Sequence, residues 1–396
     1  MQKGLFLGAG ASYEVGMPLV WEFSNTLKIN VLKRLDTKLF NFESDASLKD
    51  TLINLLSDQN MHYENVVGEL EKLYLQNPTG NAPIHHVLIQ LIECIQLLLL
   101  EEQMNTLKFL GEKVKDYYGL KYLVEEQGVL NVFSLNHDIV FEEICDYYDI
   151  PYRDGFFALE NKYKTVANFK VITKDQLESG QINLFPSDMS GLNLIKLHGS
   201  LDMFAAEDKM LFLKATGDGK HIGSHFYEIR KIEDHNLNVC THDGIRTTNE
   251  LCVYNDNNEL QFLRRSLLSG AHKFQNRFEQ IAPKALFEMF KKKLNSLNEL
   301  VIIGYGFGDA HINDVLLFWI VEESNKIIIY DPNRDPQDIP DFLTNNSDQV
   351  NIIQGGLTDF FLSFNSSKDT ANSKRKREFL SQVRKKLKEK RLEVQA

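Results

Sequence analysis

Cysteine is scarce and scattered: Cys94, Cys145, Cys240 and Cys252 are the only four among 396 residues, and no two form a CxxC pair. That excludes a disulfide scaffold and gives no zinc-ribbon spacing, so four reduced thiols are expected. No uninterrupted apolar run approaches the roughly 18 residues that suggest a membrane span. The most apolar stretch, Val87–Cys94, is broken by Gln90 and Glu93. Met1–Gly8 lacks the long apolar core and small-residue cleavage site of a signal peptide, and a cytoplasmic location is the expectation. The sequence also lacks a G-x-x-x-x-G-K-[ST] phosphate loop, internal repeats and carboxylate clusters with metal-ligand spacing. Nuclease chemistry is left with little support.

What is present is an ordinary globular composition, 43% hydrophobic and 25% charged. The length allows a large core and two lobes. The net charge of −11 is unevenly spread: residues 371–396 hold ten Lys/Arg against three Asp/Glu, a balance of +7, leaving about −18 for the rest. A basic tail on an acidic body suits contact with phosphates or an acidic partner.

Six short apolar runs end in Gly, Asn, His or Asp, the pattern of buried parallel strands feeding functional loops. They are Gly4–Leu7, Val129–Leu135, Leu192–Leu197, Leu300–Gly304, Lys326–Tyr330 and Val350–Ile353. Helical patterns follow at Leu19–Leu35 and Pro83–Tyr118, with Pro83 suited to a first turn. Residues 36–125 are too long for one crossover and read as a helical insertion in a domain spanning 1–364. Residues 203–297 read as a second, smaller insertion, and 365–396 as a basic linker and helix. The fold class expected is α/β, a Rossmann-like doubly wound parallel sheet, with ligands outside the carboxyl ends of the strands.

Five strand-end motifs carry candidate chemistry. Gly8-Ala9-Gly10-Ala11-Ser12 follows the first strand; small residues there let backbone amides approach a diphosphate, although Tyr13 stands where a G-x-G-x-x-G fingerprint needs glycine. A plain tight turn explains it equally well. Ser134-Leu135-Asn136-His137-Asp138 offers groups for ribose hydroxyls and a water, or simply an N-cap from Asp138 for a helix starting near Ile139. His198, followed by Gly199, is placed for general-base work or is an exposed loop histidine. Gly304-Tyr305-Gly306-Phe307-Gly308-Asp309 suits a loop over a nucleotide, or a turn with Asp309 as helix cap. Asp331, at the end of an apolar strand, suits an adenosine ribose, or a turn with Pro332.

Taken in order, these motifs resemble the sirtuins, and more closely the sirtuin-like NAD hydrolases of bacterial antiphage defence. The pattern Gly-Ala-Gly-small-Ser then Gly-(Ile/Met)-Pro appears as Gly8–Ser12 and Gly16-Met17-Pro18. The catalytic Gln-Asn-x-Asp motif appears at Asn136 and Asp138 with Leu135 in place of Gln, and the His-Gly pair as His198-Gly199. The late glycine loop takes the form Gly304–Asp309. The resemblance implies NAD as substrate and cleavage of its nicotinamide–ribose bond. It gives catalytic roles to Asn136, Asp138 and His198, and cofactor contacts to Gly8, Ala9, Gly10, Ala11, Ser12, Gly304, Gly306, Asp309 and Asp331. It implies no metal. It further implies a homo-oligomer working beside a separate HerA-like ATPase or other sensor. The missing CxxC pairs set the chain apart from protein-deacylating sirtuins, so deacylation or ADP-ribosyl transfer, or a non-catalytic NAD-binding scaffold, stand as the alternatives.

Overall fold

A computed structural model describes residues 2–38, 46–76, 82–159, 162–245, 247–267, 281–364 and 369–393. In chain order the strands are β1 (Lys3–Leu7), β2 (Val129–Ser134), β3 (Tyr152–Arg153), β4 (Phe157–Ala158), β5 (Phe169–Thr173), β6 (Gly191–Lys196) and β7 (Gly199–Ala206). They continue with β8 (Leu211–Ala215), β9 (Glu250–Tyr254), β10 (Leu260–Leu267), β11 (Glu299–Ile303), β12 (Lys326–Tyr330) and β13 (Val350–Ile353).

Seven of these form a parallel sheet in the order β13-β12-β11-β1-β2-β6-β3. All six apolar runs are strands of this sheet, each within one or two residues of the expected bounds. The chain runs outward from β1 through β2 to β6, then returns to the other side of β1 with β11. The sheet is therefore doubly wound, with its topological switch between β1 and β11.

Alternation of side chains across the pleat explains why the strands are apolar throughout. Leu5 and Leu7, Leu130 and Val132, and Val301 and Ile303 join one apolar cluster. Phe6, Phe133, Leu300 and Ile302 join the cluster on the opposite face. The first face is covered by helices Val20–Asp36, Tyr63–Gln76, Ala82–Lys113 and Gly119–Gln127, the second by Ile281–Leu294 and Ala310–Ile320. Averaged over a window instead of counted as an unbroken run, the stretch Ala82–Tyr117 is long and apolar enough by composition to cross a membrane. Its Val87, Leu91, Cys94 and Ile95 pack in the first cluster.

The remaining strands build an antiparallel sheet in the order β4-β5-β8-β7-β10-β9. It draws on residues from Phe157 onward, on both sides of β6 in sequence. β6 and β7 are separated only by Leu197 and His198, so the chain passes from the parallel sheet into the antiparallel one at the histidine.

The C-terminal helix, Ala371–Glu393, packs on Val20–Asp36. Its Arg384 is buried, stacks on the Tyr13 ring at 3.7 Å and donates to the Tyr13 and Met17 carbonyls and to Glu22. Arg391 donates to the Gly16 carbonyl and pairs with Glu22 and Glu102. Lys374 and Arg377 pair with Asp369, Arg377 also with Asp116, and Lys376 with Glu112, so five of the ten basic residues of the tail are committed to the chain's own acidic groups. The expected linker, Asn365–Ser373, lies partly outside the described residues.

Candidate active site

Because the sheet is parallel, the segments after β1, β2, β6, β11 and β12 all emerge at one edge, where the five motifs gather. The first and fourth motifs meet backbone to backbone. The Gly8 amide donates to the Ile303 carbonyl at 3.0 Å and the Gly10 amide to the Gly304 carbonyl at 2.8 Å. A Cβ on Gly10 would lie 2.6 Å from Gly304 Cα, and one on Gly304 would lie 2.4 Å from the Ala11 nitrogen. Gly304 also has φ of +64°, a region L side chains rarely adopt. Close packing of the two loops at the switch point therefore accounts for Gly8, Gly10 and Gly304 without any ligand. Gly306 has open space around its Cα and carries no such constraint.

The helix after Gly8 is only Ala9–Tyr13, so any dipole it offers is small. The amides of Gly8, Gly10 and Ala11 already donate to the chain's own carbonyls. The side chain of Ser12 points elsewhere: its hydroxyl donates to Asp138 Oδ1 at 3.0 Å and accepts from Asn136 Nδ2 at 3.1 Å. Asp138 Oδ1 also accepts the Val140 amide at 3.1 Å, so the carboxylate both steadies the first turn of helix Val140–Tyr147 and links the β1 and β2 loops. Asp138 and Asn136 are buried. Burial raises the Asp138 pKa above the usual carboxylate range, partly opposed by the charge of Lys196 and the hydrogen bonds to Val140 and Ser12.

His198 is buried, not an exposed loop histidine, with 4% of its surface accessible. Its Nε2 lies 3.2 Å from Asp309 Oδ2. Asp309 occupies the N-cap position of helix Ala310–Ile320, but its side chain makes no capping hydrogen bond. The carboxylate turns instead to His198 and, through Oδ1 at 3.4 Å, to His311 Nδ1. Tyr305 holds this turn in place: its hydroxyl accepts the Asp309 amide at 3.2 Å and lies 3.1 Å from Asn313 Oδ1. The loops of β6 and β11 meet over the top of β1 and β2, which lie between their strands. Asp331 stands apart from this group; its Oδ1 accepts the Asn333 amide at 2.9 Å in a turn, and Arg334 lies beside it.

Behind the site is a buried charge network that the motifs do not announce. Lys196, one of its members, donates to the Asp138 carbonyl and lies 3.5 Å from Glu142. Lys214 lies 3.3 to 3.5 Å from Glu142, Asp154 and Asp202. His225 Nε2 is 2.8 Å from Asp202 Oδ2. Burial would raise the Asp202 pKa, but the Lys214 charge and the His225 hydrogen bond hold it well below the usual range. Burial would lower that of His225, but its bond to Asp202 and the nearby carboxylates raise it. The sequence signal that could have found this network is Glu142 beside the apolar Val140 and Phe141, together with a lysine ending a buried strand.

No protein-family model and no curated protein matches the chain. Among solved structures it is similar to Sir2Tm bound to a propionylated peptide, at 11% identity over 92% of each chain with a TM-score of 0.36. It is also similar to the protein in a structure described as the structural basis of sirtuin substrate affinity. That likeness has 10% identity, covers 93% of this chain and 94% of the other, and gives a TM-score of 0.39. Both likenesses are distant, and the fold stands on its own sheet topology.

Proposed function

We propose that the chain hydrolyses NAD at the nicotinamide–ribose bond, releasing nicotinamide and ADP-ribose. The observation that carries this reading is the pairing of two groups at one sheet edge: the Ser12–Asn136–Asp138 cluster and the His198–Asp309 dyad. Cleavage leaves an oxocarbenium-like ribose, so the site needs a group to orient an incoming water and a base for a ribose hydroxyl. Asn136, fixed by Ser12, orients the ribose and the water. His198, oriented by Asp309, acts as base. Asp138 holds Asn136 through the shared serine hydroxyl. The chemistry needs no metal.

The ordered sirtuin-like motifs support NAD as substrate, with Gly306 and Asp331 among its cofactor contacts. The same resemblance supports an antiphage role in the cytoplasm, in which a homo-oligomer depletes NAD when a separate HerA-like ATPase or other sensor activates it. The test is incubation of the purified chain with NAD, with and without such an ATPase, with products separated by chromatography. Nicotinamide plus free ADP-ribose is expected, and loss of turnover in His198→Ala and Asn136→Ala with folding intact. Untouched NAD in every condition would favour a binding scaffold, and acyl-ADP-ribose formed from an acylated peptide would favour deacylation.

A further inference from the structure

We propose that His198, Asp309 and His311 form a binding site for one divalent transition-metal ion of the zinc class, and that the ion silences the site. One donor atom from each residue lies within 4.8 Å of the other two. His198 Nε2 lies 3.2 Å from Asp309 Oδ2, and His311 Nδ1 lies 3.4 Å from the other oxygen of the same carboxylate, Oδ1. Ligands about 2.0–2.2 Å from a tetrahedral ion are roughly 3.3–3.5 Å apart, so a turn of the carboxylate to present one oxygen to both rings, with the rings drawn together, would seat the ion.

Two imidazoles and one carboxylate suit zinc and its neighbours. Magnesium and calcium call for six or more oxygen ligands, which this set does not offer. Three protein ligands leave a fourth position for water. Tyr305 holds the Asp309 backbone, and the Phe287 ring packs edge-on to His311 with centroids 5.6 Å apart.

Silencing follows from the tautomers of imidazole and rests on His198 being the base in the proposed reaction. When Nε2 carries the proton, as the Asp309 carboxylate 3.2 Å away favours, the lone pair of His198 is on Nδ1. A metal ion on Nε2 requires the proton on Nδ1, and the ring then has no lone pair to accept a proton.

The experiment uses the full chain, stripped with chelator and dialysed against zinc, with cobalt(II) as an optical probe. One zinc per chain is expected, with affinity falling at least about tenfold in His311→Ala and in Asp309→Asn. Cobalt is expected to give visible bands of tetrahedral nitrogen–oxygen ligation without a thiolate charge-transfer band, and to lose them in His311→Ala. Equal zinc uptake by wild type and His311→Ala, no uptake, or a thiolate band would overturn the site. In a parallel NAD assay, zinc is expected to stop turnover by the wild type and to inhibit His311→Ala at least tenfold less. Bound zinc with undiminished turnover would overturn the silencing. Absence of turnover in metal-free protein would count against the proposed reaction, while the dialysis and cobalt readings still decide the site.

Discussion

The Asp309 carboxylate sits at a helix N-cap position yet caps nothing; it lies 3.2 Å from Nε2 of His198. A carboxylate in that place fixes the tautomer and plane of the imidazole, as in other base–orienter pairs. Asp309→Asn keeps the shape and loses the charge. Turnover of NAD by this variant is expected to fall about 100-fold or more, which is about 2.7 kcal/mol of barrier. NAD binding, measured by calorimetry, is expected to change less than threefold. A loss of binding equal to the loss of rate would mean that Asp309 acts mainly as a ligand contact.

The glycines of the fourth motif are expected to separate into two kinds. Gly304→Ala places a Cβ against the Ala11 nitrogen at a positive φ, and is expected to cost about 2 kcal/mol or more and to loosen both loops. Gly306→Ala meets nothing within 4 Å and is expected to change stability by less than about 1 kcal/mol. Denaturant titration of the two variants gives the comparison. Equal losses would show that the loop contact is not what fixes the glycine.

Arg384 is the main partner of a buried Glu22. Arg384→Ala leaves that carboxylate with Arg391 alone and strips the Tyr13 ring of its stacked cation. A destabilisation of about 3–5 kcal/mol is expected for breaking a buried pair from one side. Glu22→Gln with Arg384→Met, which removes both charges, is expected to recover part of it. No recovery in a double-mutant cycle would place the loss in packing.

The His225–Asp202 pair predicts the sign of a pH dependence. The pKa of His225 is raised on folding, so its contribution is present in full below its unfolded value of about 6.5 and is lost as pH rises through the folded value. Asp202 and Asp154 have lowered pKa values, so their contributions are present above about 4 and are lost only as pH falls through the folded values. Glu142 and Lys214 face the same pair. The stability difference between wild type and His225→Gln is expected to be greatest near pH 5–6. It should shrink toward alkaline pH with a slope no steeper than about 1.4 kcal/mol per pH unit. A difference that grows with pH would reverse the assignment.

The parallel sheet was legible because its strands are buried on both faces and read as apolar runs; Lys326–Tyr330 and Val350–Ile353 coincide with the expected bounds. The antiparallel sheet was not. Its strands include a two-residue piece, Phe157–Ala158, and Leu260–Leu267, where Arg264 and Arg265 break the pattern; Gly199–Ala206 carries Asp202 in its middle. Neither periodicity nor composition marks such segments, whose polar groups are paired only in three dimensions. The positions of Asn136 and His198 at strand ends were legible in the same way. That Asp309 turns to His198 instead of its own helix was not, because residues 111 positions apart meet only once four strands lie in order. The glycines of the first loop read as room for phosphate, whereas the structure sets both Gly8 and Gly10 against the backbone at Gly304 and Tyr305 opposite.

The clasp of Arg384 and Arg391 on the turn at Tyr13–Met17 joins the last helix described to the first loop. During synthesis that loop leaves the ribosome first and its brace leaves some 370 residues later. A nascent or truncated chain therefore carries the glycine loop without the helix that holds its exit. The turn at the exit of the glycine loop is thus braced only once residues 384 and 391 have been made.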